Sequence, residues 1–357
     1  MRRVLAILGV VAVVSLALAG ATPAVAHHRD ADQTARITAL EARLTALEVR
    51  VASLERSAAP SPTVAPSATP APAPSTAGTQ LVAGDVTASG AYTLNGQAVG
   101  SVNVRADDVM ILGPGRIDFL RLYGVRGFRL GGGVDLGAGN ETPIVLRPQA
   151  DGTPVRDALF EDIRIIQTGS PANGVGYSAV STGPDGPQPH DGVTFRRLTI
   201  DTRGVGWGGI EVWNTRNLVV EDSTFVGGCR TGAAICSFVS PPRSDGVIIR
   251  RNTLDFRRGG WWGVELADVD DAQVTDNVVL GPDLARQRPF AFVEINPGSG
   301  TSDRALILRN RAIGVWNFLN ANGGGHVITD NCLDDVTNLI QYGPWTGPVT
   351  IARNGPC

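Results

Sequence analysis

One register of asparagines constrains this chain more than any other feature. Aligning the C-terminal half on the residue after an apolar strand gives Ser223, Asn252, Asn277, Asn310, Asn331 and Asn354, at intervals from about twenty to thirty-odd residues, the range of repeat architectures. The clearest unit reads Gly209-Ile210-Glu211-Val212, a tight turn, Asn217-Leu218-Val219-Val220, then Ser223-Thr224-Phe225. Stacked Asn side chains can hydrogen-bond to one another and to turn backbone along an axis, and Asn tolerates left-handed turn geometry. Earlier units lack the Asn but keep the apolar pattern: Ala158, Phe160, Ile163 and Ile165 match Val193, Phe195, Leu198 and Ile200.

This pattern of apolar strand, turn, apolar strand, Asn turn and short strand resembles the pectate-lyase-like superfamily of right-handed parallel β-helices, over most of Asp107 to Cys357. The resemblance implies an all-β solenoid over residues 81–357, with Leu81 to Gly100 as its N-terminal cap. It does not specify a reaction, because the scaffold carries lyases, hydrolases, epimerases, tailspikes and non-enzymatic adhesins.

Three segments precede the solenoid. Met1-Arg2-Arg3, an apolar run from Val4 to Ala19 and Ala24-Val25-Ala26 read as a secretory signal peptide over residues 1–26, so the protein is expected outside the cell or at its surface. Residues 30–57 hold a short α-helical coiled coil, in which Ile37, Leu40, Leu44, Leu47, Val51 and Leu54 occupy a and d positions. Arg36, Arg43 and Arg50 fall at g and Glu41, Glu48 and Glu55 at e, suited to pairing between parallel copies. A homo-oligomer follows. β-branched residues at two a positions favour a dimer, whereas Arg36-Ile37-x-x-Leu40-Glu41 and its successors resemble the R-h-x-x-h-E trimerisation motif, and a trimer through residues 36–56 is the expectation. Residues 58–80, rich in Pro, Ala, Ser and Thr, make an extended stalk.

The net charge of −3 argues against a nucleic-acid partner. Cys229, Cys236, Cys332 and Cys357 belong to an exported chain, so disulfides are expected rather than a metal site. Proximity favours Cys229 with Cys236 and Cys332 with Cys357, although three connectivities are open.

Chemistry is expected on the first strand of the unit. Glu211 stands between Ile210 and Val212, Glu265 between Val264 and Leu266, and Glu294 between Val293 and Ile295. Alternation turns the aliphatic neighbours inward and the glutamates to solvent. Strands about 4.8 Å apart would bring Glu265 and Glu294, in successive units, within roughly the 5 to 5.5 Å of a retaining glycosidase pair, with Glu211 two coils away as an auxiliary. The alternative is a solvated surface strand. In the superfamily this outer face usually carries the catalytic groups, which the resemblance extends to these glutamates. Trp207, Trp213, Trp261, Trp262 and Trp316 lie near them in sequence and could stack on sugar rings, although any one could equally pack the core.

The expected partner is therefore a polysaccharide or cell-surface glycan, and the expected activity a glycoside hydrolase acting through paired glutamates. One rival is a lyase in which the same glutamates hold Ca²⁺; another is a non-catalytic, stalked glycan binder. His190-Asp191 slightly resembles an epimerase Asp-Pro-His stretch without its spacing, and His326 reads as structural.

Overall fold

Short strands in which every second residue is apolar can bury that edge by stacking on further copies of the same pattern. The computed structural model describes residues 78–137, 142–166, 178–182, 188–202, 208–227, 237–257, 262–281, 291–296, 302–345 and 347–357. The chain divides into two units, Met1–Ser75 and Thr76–Cys357. The expected signal peptide, coiled coil and most of the stalk lie outside the described residues, as do Cys229 and Cys236.

Thr76–Cys357 is a solenoid of parallel strands with three faces. Face A stacks Ile144–Arg147, Ser178–Thr182, Gly208–Glu211, Ser237–Ser240, Trp262–Ala267, Ala291–Asn296, Asn317–Gly323 and Asn338–Trp345. Face B is a twelve-stranded sheet running from Thr79–Gln80 to Thr350–Ala352. Face C stacks Val134–Leu136, Ile163–Ile166, Thr199–Asp201, Thr224–Val226, Thr253–Asp255, Val278–Leu280, Arg311–Ile313 and Cys332–Asp334. Faces A and C join near the N-terminal end because Gly115–Tyr123 serves both: Gly115 to Ile117 pairs with Val134–Leu136, and Leu120 to Tyr123 with Ile144–Arg147.

The inward residues form one continuous core. In a single coil Ile210, Val212, Leu218, Val220 and Phe225 are all at most 1% exposed, each side chain contributing roughly 1.5–3 kcal/mol by leaving water. The equivalences expected from sequence hold as register: Phe160 pairs with Phe195 and Ile165 with Ile200. The Phe160 and Phe195 rings stack at 4.8 Å between centroids.

The asparagine ladder is present and fully bonded. Asn252 Nδ2 donates to Asn277 Oδ1 at 3.0 Å, Asn277 to Asn310 at 3.0 Å, Asn310 to Asn331 at 3.0 Å and Asn331 to Asn354 at 2.8 Å. Each Oδ1 also accepts the backbone N–H one coil earlier, as Asn277 does from Asn252. Each Nδ2 also donates to a face B carbonyl, such as Ile249 O from Asn277. Ser223 begins the column, its Oγ accepting from Leu198 N–H at 3.0 Å. Satisfying these donors matters because a buried unpaired polar group costs about 1–3 kcal/mol.

The residue before each ladder position has a positive φ, and its identity alternates in charge. Asp162, Arg197, Asp222, Arg251, Asp276, Arg309, Asp330 and Arg353 have φ between 51° and 60°, a region where arginine is uncommon. Each Arg pairs with the Asp one coil before it, Arg197 Nε with Asp162 and Arg251 Nε with Asp222 at 2.7 Å, and Arg309 Nε with Asp276 at 2.8 Å. Glu161 and Glu221 join the column through Arg196 and Arg250. A one-coil slip would set like charges opposite one another, so the column favours the native stacking order.

Leu81 to Gly100 lies at the N-terminal end of the solenoid, as expected for its cap, and is itself built of coils: Thr79–Gln80 pairs with Tyr92 and Thr93, and Leu81, Val86, Leu94 and Val99 belong to the core. This segment alternates like later coils and so forms coils itself. Cys332 and Cys357 form a disulfide, with Cα atoms 4.9 Å apart, across the last coil.

Candidate functional site

Face A exposes the side chains that the core-facing alternation pushes outward. Val264, Leu266, Val293 and Ile295 are fully buried, while Glu265 and Glu294 between them are half-buried on the outer side. The two glutamates are Cα partners on adjacent coils. Glu211 pairs with Ser240, which stands between Glu211 and Glu265, so the two-coil separation expected for Glu211 holds. Beyond Glu294 the register continues to Asn320.

These carboxylates have different surroundings. Ser240 Oγ donates to Glu265 Oε2 at 3.0 Å. Glu294 Oε2 is buried without a hydrogen-bond partner, as are Asn320 Oδ1 and Asn322 Oδ1 on the next coil. Burial pushes the Glu294 carboxyl above the usual carboxylate range; the Asn320 amide opposes this and the Glu265 charge adds to it. A carboxylate that favours protonation thus sits one coil from one bonded to a hydroxyl. That division suits an acid and a base.

Of the aromatic residues, Trp213 is tied to the row: its Nε1–H donates to Glu211 Oε1 at 2.8 Å. Trp262 opens the strand that carries Glu265 and is half-buried, and Trp316, 37% exposed, precedes the strand that carries Asn320. Trp207 and Trp261 lie outside the described residues. Ser240, Asn320 and Asn322 are neither charged nor aromatic, and nothing in their local sequence singles them out. The signal that could have found the first two was the same outward register, continued by one coil on each side.

His190 and His326 are framework residues. His190 is 4% exposed and its Nδ1 accepts the Val155 N–H at 3.0 Å, and burial lowers its pKa to about 4. His326 Nδ1 accepts the Ala305 N–H at 3.2 Å, and its Nε2 lies 2.9 Å from the Asn322 carbonyl. Among the described residues no group of three or more His, Cys, Asp or Glu side chains could hold a metal.

Parallel ladders, the asparagine column and an outward polar row define a right-handed parallel β-helix, the fold of pectate-lyase-like proteins. Solved structures with this fold are similar over most of the chain. A tailspike mutant of the Escherichia coli bacteriophage HK620, in complex with a pentasaccharide, matches 76% of this chain at 14% identity and a TM-score of 0.52. This chain spans 53% of that tailspike. PfbA, a surface adhesin of Streptococcus pneumoniae, matches 75% of this chain, and 73% of its own, at 10% identity and a TM-score of 0.51. No family model and no curated protein sequence matches the chain.

Proposed function

We propose that this protein is a secreted, glycan-active β-helix that hydrolyses a polysaccharide on face A. The observation that carries the reading is the Glu265–Glu294 register pair with its unequal environments. Glu294, biased toward protonation, gives its proton to the departing glycosidic oxygen. Glu265, which accepts a hydrogen bond from Ser240, attacks the anomeric carbon to form a glycosyl ester. Water then cleaves the ester as Glu294 recovers the proton, giving net retention. The strand spacing of about 4.8 Å supports this route over inversion, which needs roughly 6.5–9.5 Å between carboxyls. Trp213, Trp262 and Trp316 offer apolar faces for sugar rings, and Trp207 and Trp261 are proposed for the same role. The pentasaccharide on the similar tailspike supports a glycan as partner.

A second reading has its own support. The outward polar row of Glu211, Ser240, Glu265, Glu294 and Asn320 along face A could hold sugar hydroxyls without turnover, and the similar adhesin is a surface protein. In either case a trimeric coiled coil over residues 36–56 would multiply weak contacts by avidity. A lyase with Ca²⁺ on the glutamates is the enzymatic variant.

A glycan panel assayed for new reducing ends and for ultraviolet-absorbing unsaturated products separates the three. The hydrolase reading expects reducing ends without absorbance, insensitivity to chelation, and loss of turnover in both Glu265→Gln and Glu294→Gln. Full turnover in either variant overturns it, and binding without processing supports the adhesin reading.

A further inference from the structure

Turn arginines in this protein stack on acids. Arg197, Arg251, Arg304, Arg309 and Arg353 each pair with an aspartate one coil away. Arg126 and Arg156 break the pattern: they are bridge partners on adjacent coils, guanidinium-bearing residue beside guanidinium-bearing residue. Both are exposed, and among the described residues neither has an ion-pair partner. Like charges directly opposite are destabilising in a sheet, so the pair calls for an external anion.

A cleft of about 260 Å³ opens at this pair, lined by Asp107, Gly124, Arg126, Thr153, Arg156 and Gln188 among others. Its wall is built by a tight loop after the Ile144–Arg147 strand. Gln149 N–H donates to Thr153 O at 2.8 Å, and Thr153 N–H to Asp151 Oδ1 at 2.9 Å. Gly124, with φ +54°, lets this loop close in: a Cβ there would stand 2.3 Å from Thr153 O. The nearby acids only partly offset the positive charge. Asp107 Oδ1 accepts the Arg126 backbone N–H at 2.8 Å, and Asp191, register partner of Arg156, accepts from Asn217 Nδ2 at 2.8 Å.

We infer that this cleft binds an oxyanion substituent, a carboxylate or a sulfate ester, on an acidic glycan. Paired guanidiniums offer planar donor forks matched to such groups, and the volume suits one substituted sugar rather than a chain segment. The inference rests on the carbohydrate reading for the kind of polymer, but not on catalysis. Four coils, Arg156 to Asp191 to Arg216 to Asp245 to Asp270, separate the cleft from the level of Glu265, about 19 Å along the axis. A glycan lying along face A could therefore reach both places.

The test compares binding of dextran, carboxymethyl-dextran and dextran sulfate to the full chain by calorimetry at low salt, since the three share one backbone. At least one charged polymer is expected to bind tenfold or more tightly than dextran, its identity assigning carboxylate or sulfate. Arg126→Gln with Arg156→Gln should abolish that preference. Arg309→Gln, which removes an arginine paired with Asp276, should keep it. Equal binding of all three polymers, or an unchanged preference in the Arg126/Arg156 variant, overturns the inference. Neither result bears on turnover at the glutamate pair, which is measured separately on the glycan panel.

Discussion

Ser240 donates a hydrogen bond to Glu265, while Oε2 of its register partner Glu294 is buried with none. The two glutamates share a face, a strand position and a chemical identity. Their difference comes from the coils on either side, a serine before Glu265 and asparagines after Glu294.

Burial raises the folded-state pKa of Glu294 above its ordinary 4.5. The stability this residue permits is fully present below that value and is lost as pH rises through the folded pKa. Glu294→Gln should therefore stabilise the protein at pH 7, because it removes a partly desolvated charge. Melting curves of the two proteins should converge below pH 4.5. A variant less stable than wild type at pH 7 would count against a raised pKa.

The asparagine ladder should respond by position. Asn310→Ala removes the side-chain acceptor of Asn277 N–H, one of the two acceptors of Asn277 Nδ2, and a donor to the Val274 carbonyl. We expect a loss of about 2–4 kcal/mol in urea unfolding, from several unmet groups at about 1–3 kcal/mol each. Asn354→Ala, at the partly exposed end of the column, should cost less than half as much.

The charge column predicts an inversion of the usual substitution order. Arg309 holds φ at +54°, which Gly adopts freely and a β-branched residue does not. Arg309→Gly should be nearly neutral, the lost exposed ion pair contributing roughly 0–1 kcal/mol, whereas Arg309→Val should cost about 1–3 kcal/mol from backbone strain. Thermal melts of the pair decide it; equal losses would remove the φ argument.

Acid should weaken the end of the column late. The hydrogen bond from Arg353, helped by Thr329, lowers Asp330 from 3.8 to about 2. Its stabilising contribution is present above pH 3.8 and is lost as pH falls through about 2. Carboxyl carbon shifts followed by NMR should show Asp330 titrating below the other aspartates that lack such partners.

His190 should remain neutral across the physiological range. With burial lowering its pKa to about 4, its imidazole resonances should stay flat between about pH 5.5 and 8, unlike those of a surface histidine near 6.5. A midpoint near 6.5 would show that its bond to Val155 N–H opens in solution.

Much of the solenoid could be read from particular residues. Asn252, Asn277, Asn310, Asn331 and Asn354 share a register because only a side chain with both donor and acceptor can bond to its own copy above and below. Glu265 and Glu294 could be placed outward because buried aliphatics flank each of them. Ser240 and Asn320 could not be singled out, since Ser and Asn occur at many solvated positions and their meaning lies in what stands one coil away. The doublets Glu161-Asp162, Arg196-Arg197, Glu221-Asp222 and Arg250-Arg251 are plain in the sequence, yet become a ladder only when coils of unequal length are brought into register.

The sequence by itself determined the repeating strand pattern, the asparagine register and the outward side of face A, because these follow from alternation within a few neighbouring residues. Only the tertiary structure decided that Glu294 Oε2 is buried without a partner and Glu265 hydroxyl-bonded, and that Arg126 lies beside Arg156. Loops of different length separate the coils, so which side chains meet along the axis depends on how each loop returns the chain, and stacking turns residues some 30 positions apart into neighbours about 4.8 Å apart.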